Sequence, residues 1–139
     1  MPDRPPIHFL LVDDDTVDVM TARRAFQKAK VGSPMVTAGD GIEALASLRS
    51  GALPAAKRVV LLDLNMPRMN GIEFLRELRA DPELRATPVV VLTTSAGERD
   101  VTDALALNVA GYFVKPIAFV DFVALVVSIH EYWSHVELR

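Results

Sequence analysis

Five short apolar segments alternate with segments of helical periodicity along this chain, and this alternation restricts the possible folds more than any other feature of the sequence. Each apolar segment is too short for a helix but long enough for a buried strand. The predicted strands cover about residues 7–12, 35–37, 59–62, 89–92 and 111–114. Because no hairpin signal joins two of them, we expect parallel strands connected through helices. The pattern therefore predicts an α/β domain with a doubly wound, five-stranded parallel sheet covered by helices on both faces.

The connecting helices are predicted from apolar residues at spacings of three and four. The predicted inward-facing residues are Val19, Ala22, Phe26 and Ala29 in the first helix, Ile42, Leu45 and Leu48 in the second, Phe74, Leu75 and Leu78 in the third, and Val101, Ala104 and Leu105 in the fourth. Asp15 is interpreted as the N-terminal cap of the first helix. Asp40 with Glu43 has the spacing of a capping box, which predicts the start of the second helix. Asn70 and Glu73 repeat this spacing at the third.

Composition narrows the class of protein. At 139 residues the chain fits a single domain. The net charge of −3 argues against a nucleic-acid-binding protein, which usually has a basic face. The absence of cysteine excludes disulfides and thiolate metal sites and is compatible with the cytoplasm. The apolar run of residues 9–12 is too short for a signal peptide or membrane span, so we expect a soluble, cytoplasmic protein that binds neither DNA nor membranes.

Polar side chains follow the predicted strands at the point where each strand ends. Asp13 and Asp14 follow the first strand, Asp63 the third, Thr93 the fourth and Lys115 the fifth. Because the carboxyl ends of parallel strands share one edge of a sheet, we expect these side chains to converge there. Clustered carboxylates repel one another, so the site requires cations at neutral pH. Lys115 and a divalent ion would supply them, and oxygen ligands favour Mg²⁺ over Zn²⁺.

The segments at these strand ends resemble the receiver domain of two-component response regulators. The matching motifs are VDDD at residues 12–15, LLDLNMPRMNG at 61–71, VLTTS at 91–95 and GYFVKP at 111–116. Each motif is weak alone, but four in this order are specific. The resemblance extends over residues 8–129 and implies a flavodoxin-like (βα)5 fold. It places a single receiver domain at residues 6–130 and a C-terminal extension of the last helix at 131–139.

The resemblance also implies roles for the residues at the strand ends. Asp63 would be the phosphoacceptor, attacking a phosphohistidine on a sensor histidine kinase. The metal ion, Mg²⁺ with Mn²⁺ as a substitute, would be bound by Asp14, Asp63 and the backbone carbonyl of Asn65, and by Asp13 through a water molecule. Lys115 would pair with a phosphoryl oxygen as negative charge spreads over the transferring group.

Two residues match the switch positions of the family. Thr93 would move onto the phosphoryl group after transfer, and Tyr112, three residues before Lys115, would swing into the vacated space. The protein would then be a phosphoacceptor signalling protein with intrinsic autophosphorylation and autodephosphorylation, and not an enzyme. Since few residues follow the last helix, we expect its signal to leave through a conformational switch and contacts of the receiver surface itself.

A narrower resemblance concerns the phosphoryl donor. The C-terminal segment EYWSHVELR, together with VLTTS, is similar to single-domain regulators that pair with bacterial and cyanobacterial phytochromes. This similarity implies that the donor is a light-sensing histidine kinase. Nothing else in the sequence refers to light.

Two alternatives stay open at this point. VDDDTV at residues 12–17 also fits the D-x-D-x-T/V pattern of the haloacid-dehalogenase-like phosphatases, in which Asp13 would be the nucleophile. That family needs a lysine followed by a further acidic motif, and the early candidate after Lys115 is Asp121, inside an apolar helix. The second alternative is a degenerate receiver that binds partners without phosphorylation, although every expected site position is filled.

The last helix, predicted over residues 119–133, carries apolar side chains on two faces. Phe122, Val126, Ile129 and Trp133 form the stripe suited to the sheet, and Val120, Val123, Ala124 and Val127 form an outer stripe. No further layer of a single domain covers an outer stripe, so we expect a second subunit to cover it. The sequence therefore predicts a homodimer through the last helix, with Trp133 and the tail after it as anchors.

Overall fold

The computed structural model describes residues 7–54, 57–94 and 97–135, and strands and helices alternate throughout these ranges. The strands are β1 (His8–Val12), β2 (Met35–Ala38), β3 (Arg58–Leu62), β4 (Val89–Thr93) and β5 (Gly111–Val114). The helices are α1 (Thr16–Lys28), α2 (Gly41–Arg49), α3 (Gly71–Ala80), α4 (Glu98–Ala106) and α5 (Phe119–His135). The predicted (βα)5 alternation is confirmed. None of the described helices is both long and apolar enough to cross a bilayer.

All five strands run parallel in one sheet, in the order β2-β1-β3-β4-β5. The chain moves outward from β1 to β2 and then returns across β1 to β3, so the switch in strand order lies between β1 and β3. In this pair Val12 lies opposite Leu62, and the residues that follow these two therefore leave the sheet side by side. Such a switch point is where open α/β sheets bind ligands.

Two apolar cores cover the two faces of the sheet, because successive side chains of a strand point to opposite faces. Leu10, Val12, Val60 and Leu62 pack with buried residues of α2, α3 and α4. Phe9, Leu11, Val59 and Leu61 pack with α1 and α5 on the other face. Every residue of the central strand β3 is buried, which explains the continuous apolar sequence after Arg58. The sheet with helices on both faces is thus the predicted flavodoxin-like fold.

Two predicted inward-facing residues point to solvent instead. Ile42 is 52% exposed and Leu105 is 55% exposed. The buried side of α2 is formed by Gly41, Ala44, Leu45 and Leu48, and that of α4 by Ala104. Neighbouring residues lie about 100° apart around a helix, so Ile42 next to Gly41 and Leu105 next to Ala104 are turned away from the sheet.

The helix starts agree closely with the sequence prediction. The Asp15 side chain accepts hydrogen bonds from the backbone N–H groups of Val17 and Asp18, which makes it the cap of α1. Asn70 and Glu73 form the full capping box of α3. At α2 only one of the two hydrogen bonds of the capping box is formed.

The Asp40 side chain accepts from the Glu43 N–H, as a capping box requires. The Glu43 carboxylate, however, accepts from the N–H of Gly39 and not from that of Asp40. The donor of the second hydrogen bond is therefore Gly39, one residue before the position that a capping box predicts. Sequence spacing predicts the first of these two hydrogen bonds but not the second.

Arg79, in the last turn of α3, joins three segments of the chain. Its guanidinium donates hydrogen bonds to the carbonyls of Leu107, Arg85 and Thr87, each at 2.8 Å, and of Asn108 at 3.1 Å. Leu107 is the C-terminal cap of α4. These bonds fix the end of α4 to the end of α3 and satisfy carbonyls that would otherwise lack donors.

α5 continues across the boundary predicted after residue 130 and ends at His135. The start of the predicted domain at residue 6, Ser95 of the VLTTS segment, and residues 136–139 lie outside the described residues. The division into residues 6–130 and 131–139 stays a prediction.

Candidate functional site

Three carboxylates meet at the carboxyl edge of the sheet, where β1 and β3 end. Asp13, Asp14 and Asp63 each place an oxygen within 4.8 Å of the others. Asp13 and Asp63 are buried, whereas Asp14 is exposed. A set of hard oxygen ligands that is closed on one side and open to water on the other fits a divalent ion that keeps part of its hydration shell. These three residues are therefore chemically suited to hold the predicted divalent ion.

Backbone hydrogen bonds hold the two buried carboxylates in place. Asp13 Oδ1 accepts from the N–H of Asp15 at 2.9 Å, and Asp63 Oδ1 accepts from the N–H of Asn65 at 3.2 Å. These are turns of the kind in which an aspartate side chain binds the backbone two residues on. The Asp63 N–H also donates to the Val12 carbonyl, which continues the sheet ladder to the mouth of the site.

Thr93 contacts Asp63 directly. It is the last residue of β4 and is fully buried, and its Oγ1 donates to Asp63 Oδ1 at 2.7 Å. The sequence analysis predicts that Thr93 lies at this edge of the sheet and that its hydroxyl moves onto the phosphoryl group after transfer. In the structure the hydroxyl contacts the Asp63 carboxylate, because β3 and β4 are neighbours and both end at the same edge.

Lys115 directly follows β5, and its side chain extends across the site. Its Nζ lies 2.7 Å from Asp13 Oδ2, 2.7 Å from Asp18 Oδ2 and 3.6 Å from Asp63 Oδ2. The side chain is only 9% exposed, and its backbone N–H donates to the Thr93 carbonyl. The predicted convergence of Lys115 on the acid cluster is therefore observed.

Asp18 is a site residue that sequence reasoning missed. It lies in the first turn of α1, where an acidic residue is ordinarily explained by the helix dipole. The available signal was its position as the fourth acid in the run of residues 13–18. Its partner Lys115 is distant in sequence, so only the placement of α1 beside the end of β5 reveals the contact.

Burial and pairing act in opposite directions on the charges of the site. Burial raises the pKa of Asp13 above its ordinary value, although the hydrogen bond from Lys115 works against that shift. Burial alone would lower the pKa of Lys115, but the hydrogen bonds to Asp13 and Asp18 outweigh it and raise the pKa. Lys115 is therefore a cation throughout the physiological pH range and offsets the clustered carboxylates.

Tyr112 is half-buried and packs against the core formed with α2, α3 and α4. In the register of the sheet it lies opposite Val91, two residues before Thr93 on the neighbouring strand. Its position is compatible with a link between Thr93 and the surface of the domain. The switch role of Tyr112 and the metal-binding role of the Asn65 carbonyl stay predictions.

Contacts of Arg68 and Gly71 fix the loop after β3. Sequence reasoning did not predict the contact of Arg68. Arg68 has a positive φ of 61° and forms an ion pair with the buried Asp40. At Gly71 a Cβ would lie 2.6 Å from the Leu64 Cα and 2.7 Å from the Asp63 carbonyl oxygen. Glycine is therefore required where α3 starts against the end of β3.

A model of the response regulator receiver domain matches residues 9–127. The probable methanogenesis regulatory protein FilR2 of Methanothrix harundinacea is 38% identical, over 92% of this chain and 84% of that protein. The response regulator Rcp1 of Synechocystis is 34% identical, over 93% and 90%.

Solved structures agree with these matches. The phosphorylated cyanobacterial phytochrome response regulator RcpA superposes with a TM-score of 0.85 at 34% identity, covering 96% of this chain and 99% of that one. The Mn²⁺-bound form of Rcp1 gives a TM-score of 0.81 at 33% identity, with the same coverage of 96% and 99%. The likeness therefore includes sequence and fold over nearly the whole chain.

Proposed function

The chain belongs to the response regulator receiver domain family and acts as a phosphoacceptor in signalling, and from that premise we propose that Asp63 is the acceptor of a phosphoryl group from a sensor histidine kinase. The observation that supports this assignment is the convergence on one buried carboxylate of the Thr93 hydroxyl at 2.7 Å and the Lys115 ammonium at 3.6 Å. The phosphatase and the degenerate receiver are both less well supported than this function. Family membership favours Asp63 over Asp13 as the nucleophile, and a filled site argues against a degenerate receiver.

In the proposed transfer, a carboxylate oxygen of Asp63 forms a bond to the phosphorus of the phosphohistidine. The P–N bond breaks, and its electron pair goes to the imidazole nitrogen. Lys115 offsets the negative charge that spreads over the equatorial oxygens during this step. In the later hydrolysis, water adds to the phosphorus and the P–O bond breaks, which restores the Asp63 carboxylate and releases inorganic phosphate.

The family binds divalent metal ions, and we propose Mg²⁺ for this chain, with Mn²⁺ as a substitute. Asp13, Asp14, Asp63 and the Asn65 carbonyl would hold it, and the oxygens of the three carboxylates lie close enough together to do so. When bound, the ion supplies positive charge to oxygens that approach one another during transfer. The Mn²⁺-bound form of Rcp1 is consistent with this choice.

The decisive experiment is incubation with acetyl phosphate and Mg²⁺, followed by mapping of the acid-labile label. We expect label on Asp63 in the wild type and none in Asp63→Asn, since the amide is nearly isosteric but a far weaker nucleophile. Asp13→Asn, a matched change in the neighbouring acid, is expected to slow labelling because Asp13 helps to hold the metal ion, but the label that forms should still lie on Asp63. Label that persists in Asp63→Asn and disappears in Asp13→Asn would restore the phosphatase alternative.

The metal requirement is tested in the same assay. Excess EDTA, or Asp14→Ala, is expected to reduce transfer to background because Lys115 alone cannot neutralise the approaching oxygens. Restoration by Mg²⁺ or Mn²⁺ in molar excess over EDTA is the control. Transfer at an undiminished rate in EDTA would contradict the proposal.

Exposed apolar residues near the end of β5 support a docked protein partner. Ile117, two residues after Lys115, is fully exposed, and Phe119 is 43% exposed. On the adjacent helix α1, Val17 and Met20 are also exposed. An apolar surface beside a phosphoacceptor suits a histidine kinase that must exclude water during transfer. Because RcpA is a phytochrome response regulator, we propose a phytochrome-type kinase as the donor, in the cytoplasm.

We also propose a homodimer through α5. The predicted inner stripe is buried against the sheet, while Val120 is 73% exposed and Ala124 is exposed. Val123 is half-buried and packs on the domain's own core. Trp133 is buried as well, so its predicted role as an anchor is wrong, and the exposed Tyr132 beside it is the better candidate.

Sedimentation equilibrium tests the dimer. We expect a dimer for the wild type at micromolar concentration and a monomer for Val120→Glu combined with Ala124→Glu, because two charges would be buried at the interface. Val17→Glu, an equally exposed valine on α1, is the matched control and should stay dimeric. A wild type that sediments as a monomer would place the interface elsewhere.

A further inference from the structure

A carboxylate outside the acid cluster holds the ammonium group of Lys115. Asp18 Oδ2 lies 2.7 Å from Lys115 Nζ, as close as Asp13 Oδ2. The Asp18 side chain is 36% exposed, so it reaches inward from the surface of α1 to a lysine that is nearly buried. Asp18 is not among the carboxylates grouped closely enough to share a metal ion, which are Asp13, Asp14 and Asp63.

Two of the three N–H groups of the Lys115 ammonium have a carboxylate acceptor. Lys115 has three N–H donors, and two of them are used by Asp13 and Asp18. Asp63 Oδ2, at 3.6 Å, lies beyond hydrogen-bond distance from Nζ. The third N–H therefore remains, among the described residues, for an oxygen atom on the Asp63 side of the site.

The two partners of Lys115 differ in what metal binding does to them. Asp13 belongs to the acid cluster, so a cation bound there would share its charge and weaken its attraction for Lys115. Asp18 stands outside that cluster and would not share its charge with the ion. The partner that Lys115 would retain during transfer is thus the residue on α1.

We propose that Asp18 is a positioning residue for Lys115, which keeps the ammonium group directed at the phosphoryl oxygens on Asp63. The inference rests on the proposed function of Asp63 and Lys115 and adds α1 to the elements that control it. Removal of the Asp18 carboxylate leaves the nucleophile and the metal ligands in place. It releases the lysine that must meet the transferring group.

The test compares Asp18→Ala and Asp18→Asn with wild type in phosphorylation by acetyl phosphate and Mg²⁺. We expect the maximal rate of Asp18→Ala to fall about tenfold, the loss of one charge-assisted hydrogen bond. The acetyl phosphate and Mg²⁺ concentrations for half-maximal rate should not change, because neither binding step uses Asp18. Asp18→Asn, which keeps an acceptor oxygen without the charge, should lie between the two. Asp121→Ala removes an exposed acid from the first turn of α5 and is the matched control for helix effects.

A spectroscopic measurement separates positioning from a structural role. Beryllofluoride binds an aspartate carboxylate as a phosphoryl mimic, and its ¹⁹F resonances report the donors around each fluorine. We expect the resonance of the fluorine nearest Lys115 to shift in Asp18→Ala and not in Asp121→Ala. If Asp18→Ala does not fold, the rate and the spectrum of Asp18→Asn decide.

The outcomes distinguish failure of the role of Asp18 from failure of the proposed function of Asp63. Wild-type rate and spectrum in the Asp18 variants, with label on Asp63, would overturn this inference and leave the proposed function intact. A wild type without label on Asp63 would overturn the proposed function and this inference with it.

Discussion

A residue of the site directly follows each of β3 and β5, but the two strands differ in their surroundings. β3 lies between β1 and β4, and all of its residues are buried. β5 pairs with β4 alone, and Phe113 and Val114 are 39% and 51% exposed. Asp63, the proposed acceptor, therefore follows a fully buried inner strand of the sheet, and the cation Lys115 follows an edge strand.

This difference divides the site into a fixed part and a responsive part. Strands with few buried contacts open and shift at a lower free energy than enclosed ones. Lys115 depends on its ion pairs with Asp13 and Asp18 and on one backbone bond to Thr93 for its position. A change in charge at Asp63 is thus more easily accommodated by β5 than by β3, which suits a signal that must reach the surface.

The largest expected contrast is between Asp63 and Lys115, the residues that follow the two strands. Asp63→Asn should abolish transfer, whereas Lys115→Ala should slow it by about a hundredfold and leave the label on Asp63. Lys115→Ala should also uncouple the label from the rearrangement of Thr93 and Tyr112, because the contact that biases the switch is lost. NMR of the Tyr112 amide before and after phosphorylation measures this. A wild-type shift of that amide in labelled Lys115→Ala would remove Lys115 from the switch.

The second contrast is in stability and uses the same substitution on both strands. Val60 of β3 is fully buried, whereas Val114 of β5 is half-exposed. Val60→Ala should lower the free energy of unfolding by about 2–3 kcal/mol through lost burial and a cavity. Val114→Ala should cost less than about 1 kcal/mol. Urea unfolding of both variants gives the comparison, and equal losses would show that β5 is as firmly packed as β3.

The smallest expected effect concerns the loop that follows β3. Asp40→Ala removes the cap of α2 and the partner of Arg68, and should cost about 1 kcal/mol at neutral pH. The hydrogen bond from the Glu43 N–H, with help from Arg68, lowers the pKa of Asp40 from its ordinary 3.8. A lowered pKa stabilises the fold above the ordinary value and stops doing so as pH falls through the folded-state value.

The stability difference between wild type and Asp40→Ala should accordingly be constant above about pH 5 and shrink below pH 3.8. Urea unfolding over this pH range measures it. Arg99→Ala, which removes the exposed ion pair with Asp103 on α4, is the control. A difference that grows on acidification would have the wrong sign for this explanation.

Sequence reasoning succeeded where the interaction is local or follows from parallel strands. The capping box at Asn70 needs only residues three apart, and the meeting of Asp13, Asp63, Thr93 and Lys115 follows from their position at strand ends. It failed where the interaction depends on how elements pack. Ile42 and Leu45 both fit a helical stripe, and only the placement of α2 on the sheet decides that Leu45 is buried.

The contacts of Asp18 and Arg68 lay beyond sequence reasoning for a related physical reason. Each joins a charged side chain to a partner on another element, Lys115 and Asp40 respectively. A charged residue at a helix start or in a loop is ordinarily solvated, so its type alone predicts no partner. Their partners become visible only when the elements are assembled.

The hydrogen bonds of Arg79 anchor α4 at its C-terminal end. To displace the last turn of this helix, the two charge-assisted bonds to Leu107 and Asn108, of about 1.5–3 kcal/mol each, must break. The first turn starts at Gly97, which offers no side chain as a cap. The anchored end of α4 therefore lies at Leu107 and Asn108, and the other end follows β4 in the chain. A rotation of α4 about Leu107 and Asn108 would displace its first turn more than its last.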